Sequence, residues 1–465
     1  MPSPGMSFVR APGALALVLA LTLAGCGGEG RALTGPVGEQ QTDPIAGDPE
    51  PPDEADDIVG QEPLPPPELP QPTPAPSPSP GASPEPTPTE LRRLCFTPQE
   101  DCIGRLLGYM QSERAGIDVA IYHLYDSRVS RLLLAKHQAG VPVRVIADRH
   151  AYTSQDKQAR EMNFLAAGGV PVYTNRHRGI VHHKAALLHG LGLVMHGSLN
   201  FTAAGRKFGD EWADEVSFFT TSPRVFARFK ERFDRMWNNT GDARQAFQPF
   251  VAGMRLPSFE EAEQQPPTTC YEDPRPSPRP LPDDEQLALC FVPDQHCNLD
   301  VLVPIIKAET RRMDLLVFRA TSFEITDPLV AKVRAGLPVR MIIERSQYKN
   351  PAYPNETKVI NNLWAANTKG NLKMKATAHG GAMHMKAIIT PDVATWGSGN
   401  LSRSSSKQVR GCQSKYYQDE DLVRTTDAGL VARMQARFDA MWNSPDFADF
   451  DPTTAGSPGV VDDVE

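Results

Sequence analysis

Two hydrophobic rhythms alternate along this chain. Short aliphatic runs, Val143 to Ala147 and Met341 to Ile343, follow stretches with helical spacing, Ser130 to Gln138 and Asp327 to Arg334, and Gly140 and Gly336 mark the helix ends. Strand, helix and strand in succession predict a mainly parallel sheet covered by helices. A different pattern runs from Ile180 to Asn200: two apolar strands with the turn His189-Gly190-Leu191-Gly192 between them, read as a hairpin. Residues two apart on a strand share a face. His182 and Lys184 therefore project together, and His183 faces the other way.

The pattern occurs twice. Cys95-Phe96-Thr97-Pro98 through Cys102 recurs as Cys290-Phe291-Val292-Pro293 through Cys297. Asp118 to Tyr122 matches Asp314 to Phe318, and Ala139 to Arg144 matches Ala335 to Arg340. Arg232-Phe233-Asp234 near the end of the first copy matches Arg437-Phe438-Asp439 in the second. The order never changes, and a period of about 200 residues is too long for a solenoid, so the chain is read as a duplicated domain. The copies span 91–246 and 288–449, with a proline- and acid-rich linker at 247–287 and an acidic, disordered tail at 450–465.

Composition changes the picture mainly at the N-terminus. Arg10, the apolar stretch Ala11 to Leu21 and then Leu23-Ala24-Gly25-Cys26 have the layout of a secretion signal over 1–25. A cysteine directly after the small-residue site resembles a bacterial lipoprotein signal, which implies export across the inner membrane and an acylated Cys26 anchoring the chain in the cell envelope, at the outer membrane or in the periplasm. Residues 26–90 are dense in proline and hold 13 acidic residues against the single Arg31, a composition that cannot bury a core and reads as a disordered, extended tether. Setting these acidic ends aside leaves 91–449 at a formal +7, although the whole chain is at -8. That balance favours an anionic substrate. With 40% apolar residues and no later apolar run long enough to span a bilayer, the rest reads as globular.

Six cysteines beyond Cys26 fit an oxidising compartment. The repeat pairs Cys95 with Cys102 and Cys290 with Cys297, leaving Cys270 and Cys412 to join across the copies. No cluster has the ligand spacing of a tetrahedral zinc site, and neither metal nor cofactor is expected.

The candidate chemistry lies in His182-x-Lys184 with Gly197-Ser198-x-Asn200 and in His384-x-Lys386 with Gly397-Ser398-x-Asn400. Lys184, Lys386, Asn200, Asn400, Ser198 and Ser398 can neutralise and hold a phosphodiester. One imidazole can attack phosphorus while the other protonates the leaving alkoxide. Glu215 and Glu420, each in an acidic patch after the Asn, are the carboxylates expected to orient the imidazoles. Gly197 is expected to let backbone approach a ligand.

The doubled motifs resemble the phospholipase D superfamily over nearly everything from Cys95 to Asn443. That resemblance implies two similar α/β/α sandwich lobes, each with a mainly parallel or mixed sheet, one active site shared at their interface, and a phosphohistidine intermediate with His182 as nucleophile and His384 as acid. The family's aspartate five residues after each lysine is replaced by His189 and by Pro391, next to Asp392. Those positions fall in the hairpin turn and are expected to shape it without touching the phosphate. A phospholipid in the membrane is the first substrate expected of a monomeric enzyme. A nucleic acid comes second, with Tyr173 to Arg178 and Tyr348 to Tyr353 as the only stretches combining aromatic and basic residues, and a catalytically silent binding module comes third.

Overall fold

The computed structural model describes residues 90–203, 212–239, 245–265, 268, 286–405 and 417–455. The signal, Cys26, the tether, Cys270, Cys412 and the last ten residues lie outside them.

The first lobe runs β1 (Arg92–Thr97), α1 (Cys102–Ser112), β2 (Ile117–Ile121), α2 (Ser127–Gln138), β3 (Val143–Ala147), α3 (Arg149–Ser154), α4 (Asp156–Ala167), β4 (Val172–Asn175), β5 (Ile180–Val181), β6 (Lys184–Leu188), β7 (Leu193–Gly197), β8 (Ala213–Thr220), α5 (Pro223–Asn238), β9 (Phe247–Phe250) and α6 (Phe259–Glu263). The second runs β10 (Leu287–Val292), a π-helical turn leading into α7 (Val303–Ala308), β11 (Met313–Val317), α8 (Phe323–Ala335), β12 (Val339–Ile343), α9 (Pro354–Ala365), β13 (Leu372–Thr377), β14 (Ala382–Met383), β15 (Lys386–Ile389), β16 (Ala394–Gly397), β17 (Gln418–Thr425), α10 (Ala428–Asn443) and β18 (Phe447–Asp449).

Each lobe is built on a nine-stranded mixed sheet, ordered β1-β8-β7-β6-β2-β3-β4-β9 and β10-β17-β16-β15-β11-β12-β13-β18, with one short strand added from the other lobe. Among the strand pairs formed within one lobe, the parallel ones are β2-β3-β4 and β11-β12-β13. The motif strands are joined by tight turns, and such turns require antiparallel pairing. The helices start earlier than their apolar spacing indicates. Asp126 caps α2 by accepting from the Arg128 N–H, and α8 begins one turn before Pro328, which sits inside it.

Composition also misplaced two boundaries. The stretch read as linker opens with β9, which pairs antiparallel to β4 and buries Phe247 and Phe250. Pro249 is tolerated there because β9 is an edge strand with that residue exposed. The stretch read as tail starts with Phe450, buried against Tyr348, whose hydroxyl donates to the Pro452 carbonyl at 3.1 Å.

The repeated sequence blocks hold matching contacts. Arg144 forks onto Asp118 at 2.6–2.7 Å and reaches Asp234; Arg340 does the same with Asp314 and Asp439. The expected disulfides Cys95–Cys102 and Cys290–Cys297 are present. α1, α2 and α4 cover the outer face of the first sheet. Between the two sheets lies a second core to which α5 and α10 contribute Phe229 and Phe438.

Candidate active site

The segment before each His-x-Lys leaves its own sheet. β5 pairs in parallel with β17 of the second lobe, and β14 pairs in parallel with β8 of the first. Glycine permits the approach: a Cβ on Gly179 would lie 1.6 Å from the Tyr417 carbonyl oxygen, and one on Gly381 would lie 2.1 Å from that of Trp212. A buried acid holds each segment from its own lobe, Asp148 accepting from the Val181 N–H at 2.7 Å and Glu344 from the Met383 N–H at 2.8 Å. Burial raises the Asp148 carboxyl above its ordinary value, although the Ala151 and Val181 N–H groups favour the charged form.

The crossing brings each histidine to the other lobe's acid. The His182 N–H donates to the Asp419 carbonyl and its Nδ1 lies 2.7 Å from Glu420 Oε1. The His384 N–H donates to the Asp214 carbonyl and its Nδ1 lies 2.8 Å from Glu215 Oε1. All four side chains are at most 4% exposed. A carboxylate only accepts, so each Nδ1 carries the proton and Nε2 is the basic nitrogen. Tyr122 meets the His182 ring edge-on at 5.1 Å, and Phe318 meets His384 at 4.6 Å. Lys184 Nζ is 5.2 Å from the Tyr122 ring and donates to the His182 carbonyl, and Lys386 Nζ is 4.7 Å from the Phe318 ring. Asn200 Oδ1 accepts from the His123 N–H at 3.3 Å. Asn400 is buried at the matching position.

Two expectations about this site change. The hydroxyls of Ser198 and Ser398 accept from the Val216 and Asp421 N–H groups at 3.0 and 2.9 Å; they brace the strands that carry Glu215 and Glu420. Gly197 and Gly397 are required by those same strands, because a Cβ would fall 2.1–2.2 Å from the Val216 or Asp421 carbonyl oxygen. The aromatic stretches are also engaged internally: Tyr173 stacks on Trp237 at 3.8 Å, and Tyr353 lies under the Arg319 guanidinium at 3.6 Å. The turn residue His189 pairs with Asp118 of β2 at 2.7 Å.

Sequence reasoning missed two sets of residues. His177 and His379, each five positions before a motif histidine, contact Asp419 and Asp214 across the interface. Their signal was the equal spacing in the two copies. In the other set, His183 and His196 both contact Asp421, at 3.0 and 2.9 Å. Burial alone would raise Asp421, but these two hydrogen bonds hold it well below the usual carboxylate range. In the opposite copy the corresponding places hold Met385, Trp396 and Val216, so no repeat could point to this set.

A family model described as "Cardiolipin synthase, PLD-like domain" matches residues 106–237 and 302–442. The mitochondrial cardiolipin hydrolase of Chlamydomonas reinhardtii is 27% identical over 137 residues, which are 29% of this chain and 57% of that protein. The human one is 28% identical over 151 residues, 32% of this chain and 56% of its own length. The chain thus spans little more than half the length of these relatives. In fold it is similar to the phosphatidylserine synthase of Haemophilus influenzae Rd KW20, with a TM-score of 0.56 over 77% of this chain and 87% of that one at 10% identity.

Proposed function

The chain belongs to the phospholipase D superfamily as a duplicated phosphodiesterase, and from that premise we propose that it hydrolyses a phospholipid to phosphatidic acid and an alcohol, without metal, through a phosphohistidine. The crossed pairs His182–Glu420 and His384–Glu215 carry this reading. Each presents Nε2 as the reactive nitrogen in a buried setting, where neither half is complete without the other lobe.

His182 Nε2 attacks phosphorus. The P–O bond to the alcohol breaks, and the alkoxide takes a proton from the His384 imidazolium. Now neutral, His384 removes a proton from water, which attacks phosphorus and breaks the N–P bond, returning His182 and releasing the monoester. Lys184, Lys386, Asn200 and Asn400 hold the non-bridging oxygens as their charge changes. The relatives' names make cardiolipin the first lipid to assay, and phosphatidylcholine the second. Export and acylation of Cys26 complete the reading by holding the enzyme at an envelope membrane; incorporation of labelled fatty acid that is lost in Cys26→Ala tests it.

The formal +7 of residues 91–449 favours a nuclease as the second reading. The assay uses the chain from Leu91 in EDTA, with cardiolipin or phosphatidylcholine plus a primary alcohol, and in parallel with single- and double-stranded DNA. A phosphatidyl-alcohol product is expected. Cut DNA with no lipid product overturns the lipid reading, and full activity in His182→Ala or His384→Ala overturns the mechanism.

A further inference from the structure

Beside each imidazole–carboxylate pair lies a second buried cluster. Asp419 precedes Glu420 on β17, so the two side chains point to opposite faces of the strand. Glu420 meets His182, and Asp419 is gripped by the first lobe: Arg232 donates to Oδ1 at 2.8 Å and His177 Nε2 lies 3.0 Å from Oδ2. The same arrangement recurs with the lobes exchanged. Asp214 precedes Glu215 on β8, Arg437 donates to its Oδ1 at 2.5 Å, and His379 Nε2 lies 3.1 Å from Oδ2. Each arginine also donates at 3.0 Å to the last carbonyl of the other lobe's first strand, Val292 for Arg232 and Thr97 for Arg437. His379 Nδ1 accepts from the Gly381 N–H, which fixes the ring proton on Nε2 and makes that nitrogen the donor to Asp214.

We infer that Arg232–Asp419–His177 and Arg437–Asp214–His379 are paired positioning clamps, each setting the geometry of one active-site histidine across the lobe interface. Asp419 fixes His182 twice, through its own carbonyl, which accepts the His182 N–H, and through its chain neighbour Glu420. Asp214 does the same for His384. A buried ion pair is weak evidence for stability, since apolar packing often serves as well. Supporting groups behind a reacting residue, by contrast, tune its orientation and basicity. The clamps are not equal. Arg232 also pairs with Asp294, which Arg235 reaches too, and the matching residue in the first copy is Gln99.

The inference rests on the phosphodiesterase reading, and the test separates the two. Histidine-labelled full chain is titrated by NMR as wild type, Asp419→Asn, Asp214→Asn, Arg232→Lys and Arg437→Lys, and each is assayed on bis(4-nitrophenyl) phosphate. Asp419→Asn is expected to shift the His182 ring resonances and leave those of His384 in place; Asp214→Asn does the converse. The corresponding kcat falls about 10- to 100-fold with KM little changed. The lysine variants keep the charge and move the same single histidine by less, which also covers an asparagine variant that does not fold. Equal changes in both histidines, or none, overturn the clamps. A wild type that cleaves no phosphodiester overturns the enzymatic reading, and the titration still decides the clamps.

Discussion

Glu356 shows how far one side chain can depart from its counterpart. In the first lobe the matching place is held by Gln158, whose Oε1 accepts from the Leu124 N–H at 2.6 Å. Glu356 accepts from the Ala320 N–H in the same way, but as an acid. Burial pushes its carboxyl up to about 8, against the Ala320 N–H and Arg319, which both favour the charge. Folded protein therefore holds this proton through a pH range in which the unfolded chain, at an ordinary 4.5, has lost it. The stabilisation is complete below 4.5 and lost as pH rises to 8, with every tenfold difference in proton affinity between the two states worth about 1.4 kcal/mol. Glu356→Gln is expected to flatten that decline, read as urea midpoints from pH 5 to 9; an unchanged slope would refute it. The orienting acids give a second prediction. Glu420→Gln and Glu215→Gln keep the shape of each side chain but not the charge facing Nδ1, and each should lower kcat about 10- to 100-fold with little loss of stability. At this scale the sequence disclosed which acids meet the motif imidazoles, because both follow an Asn of the repeated motif. It did not disclose that each serves the other lobe's histidine, since a pairing across an interface leaves no spacing in the chain.

Elements explain why. The alternation of His182, His183 and Lys184 states which side chains share a face, and the structure keeps that face: His182 turns to Glu420 while His183 turns to Asp421. Alternation does not state which strand lies alongside, and β5 and β14 pair with the opposite lobe. β9 and β18 were hidden by proline and acidic residues around them, although Phe247, Phe250 and Phe447 are buried. Glycine substitutions test the crossing. Gly179→Ala would place Cβ 1.6 Å from a carbonyl oxygen that cannot move without shifting β17. It should separate β5 from β17, lower the melting temperature and reduce activity together. Gly108 in α1 has nothing within 4 Å of a Cβ, so Gly108→Ala should gain roughly 0.5–1 kcal/mol from helix propensity with activity intact. Equal stability changes in the two variants would contradict the close approach.

For the whole molecule, duplication was legible as two lobes, while their sharing of one site rested on the family resemblance. The physical basis of that sharing is a common core. Leu187, Val194, Phe218 and Phe229 of the first lobe belong to one buried cluster with Phe291, Trp396, Val423 and Phe438 of the second. Phe218 meets Trp396 at 5.2 Å and Phe229 meets Phe291 at 5.0 Å, both edge-on. Separating the lobes would expose this surface to water, at about 25 cal/mol for each Å² of apolar area, and would leave Asp419, Asp214 and Asp421 without their partners. A state with one lobe folded and the other unfolded is thus penalised twice. Chemical denaturation should give one transition by far-UV circular dichroism, and loss of turnover should coincide with it. Two resolved transitions, or activity persisting after one lobe has unfolded, would show that the lobes are independent and that the crossed His–Glu pairs are not needed for catalysis.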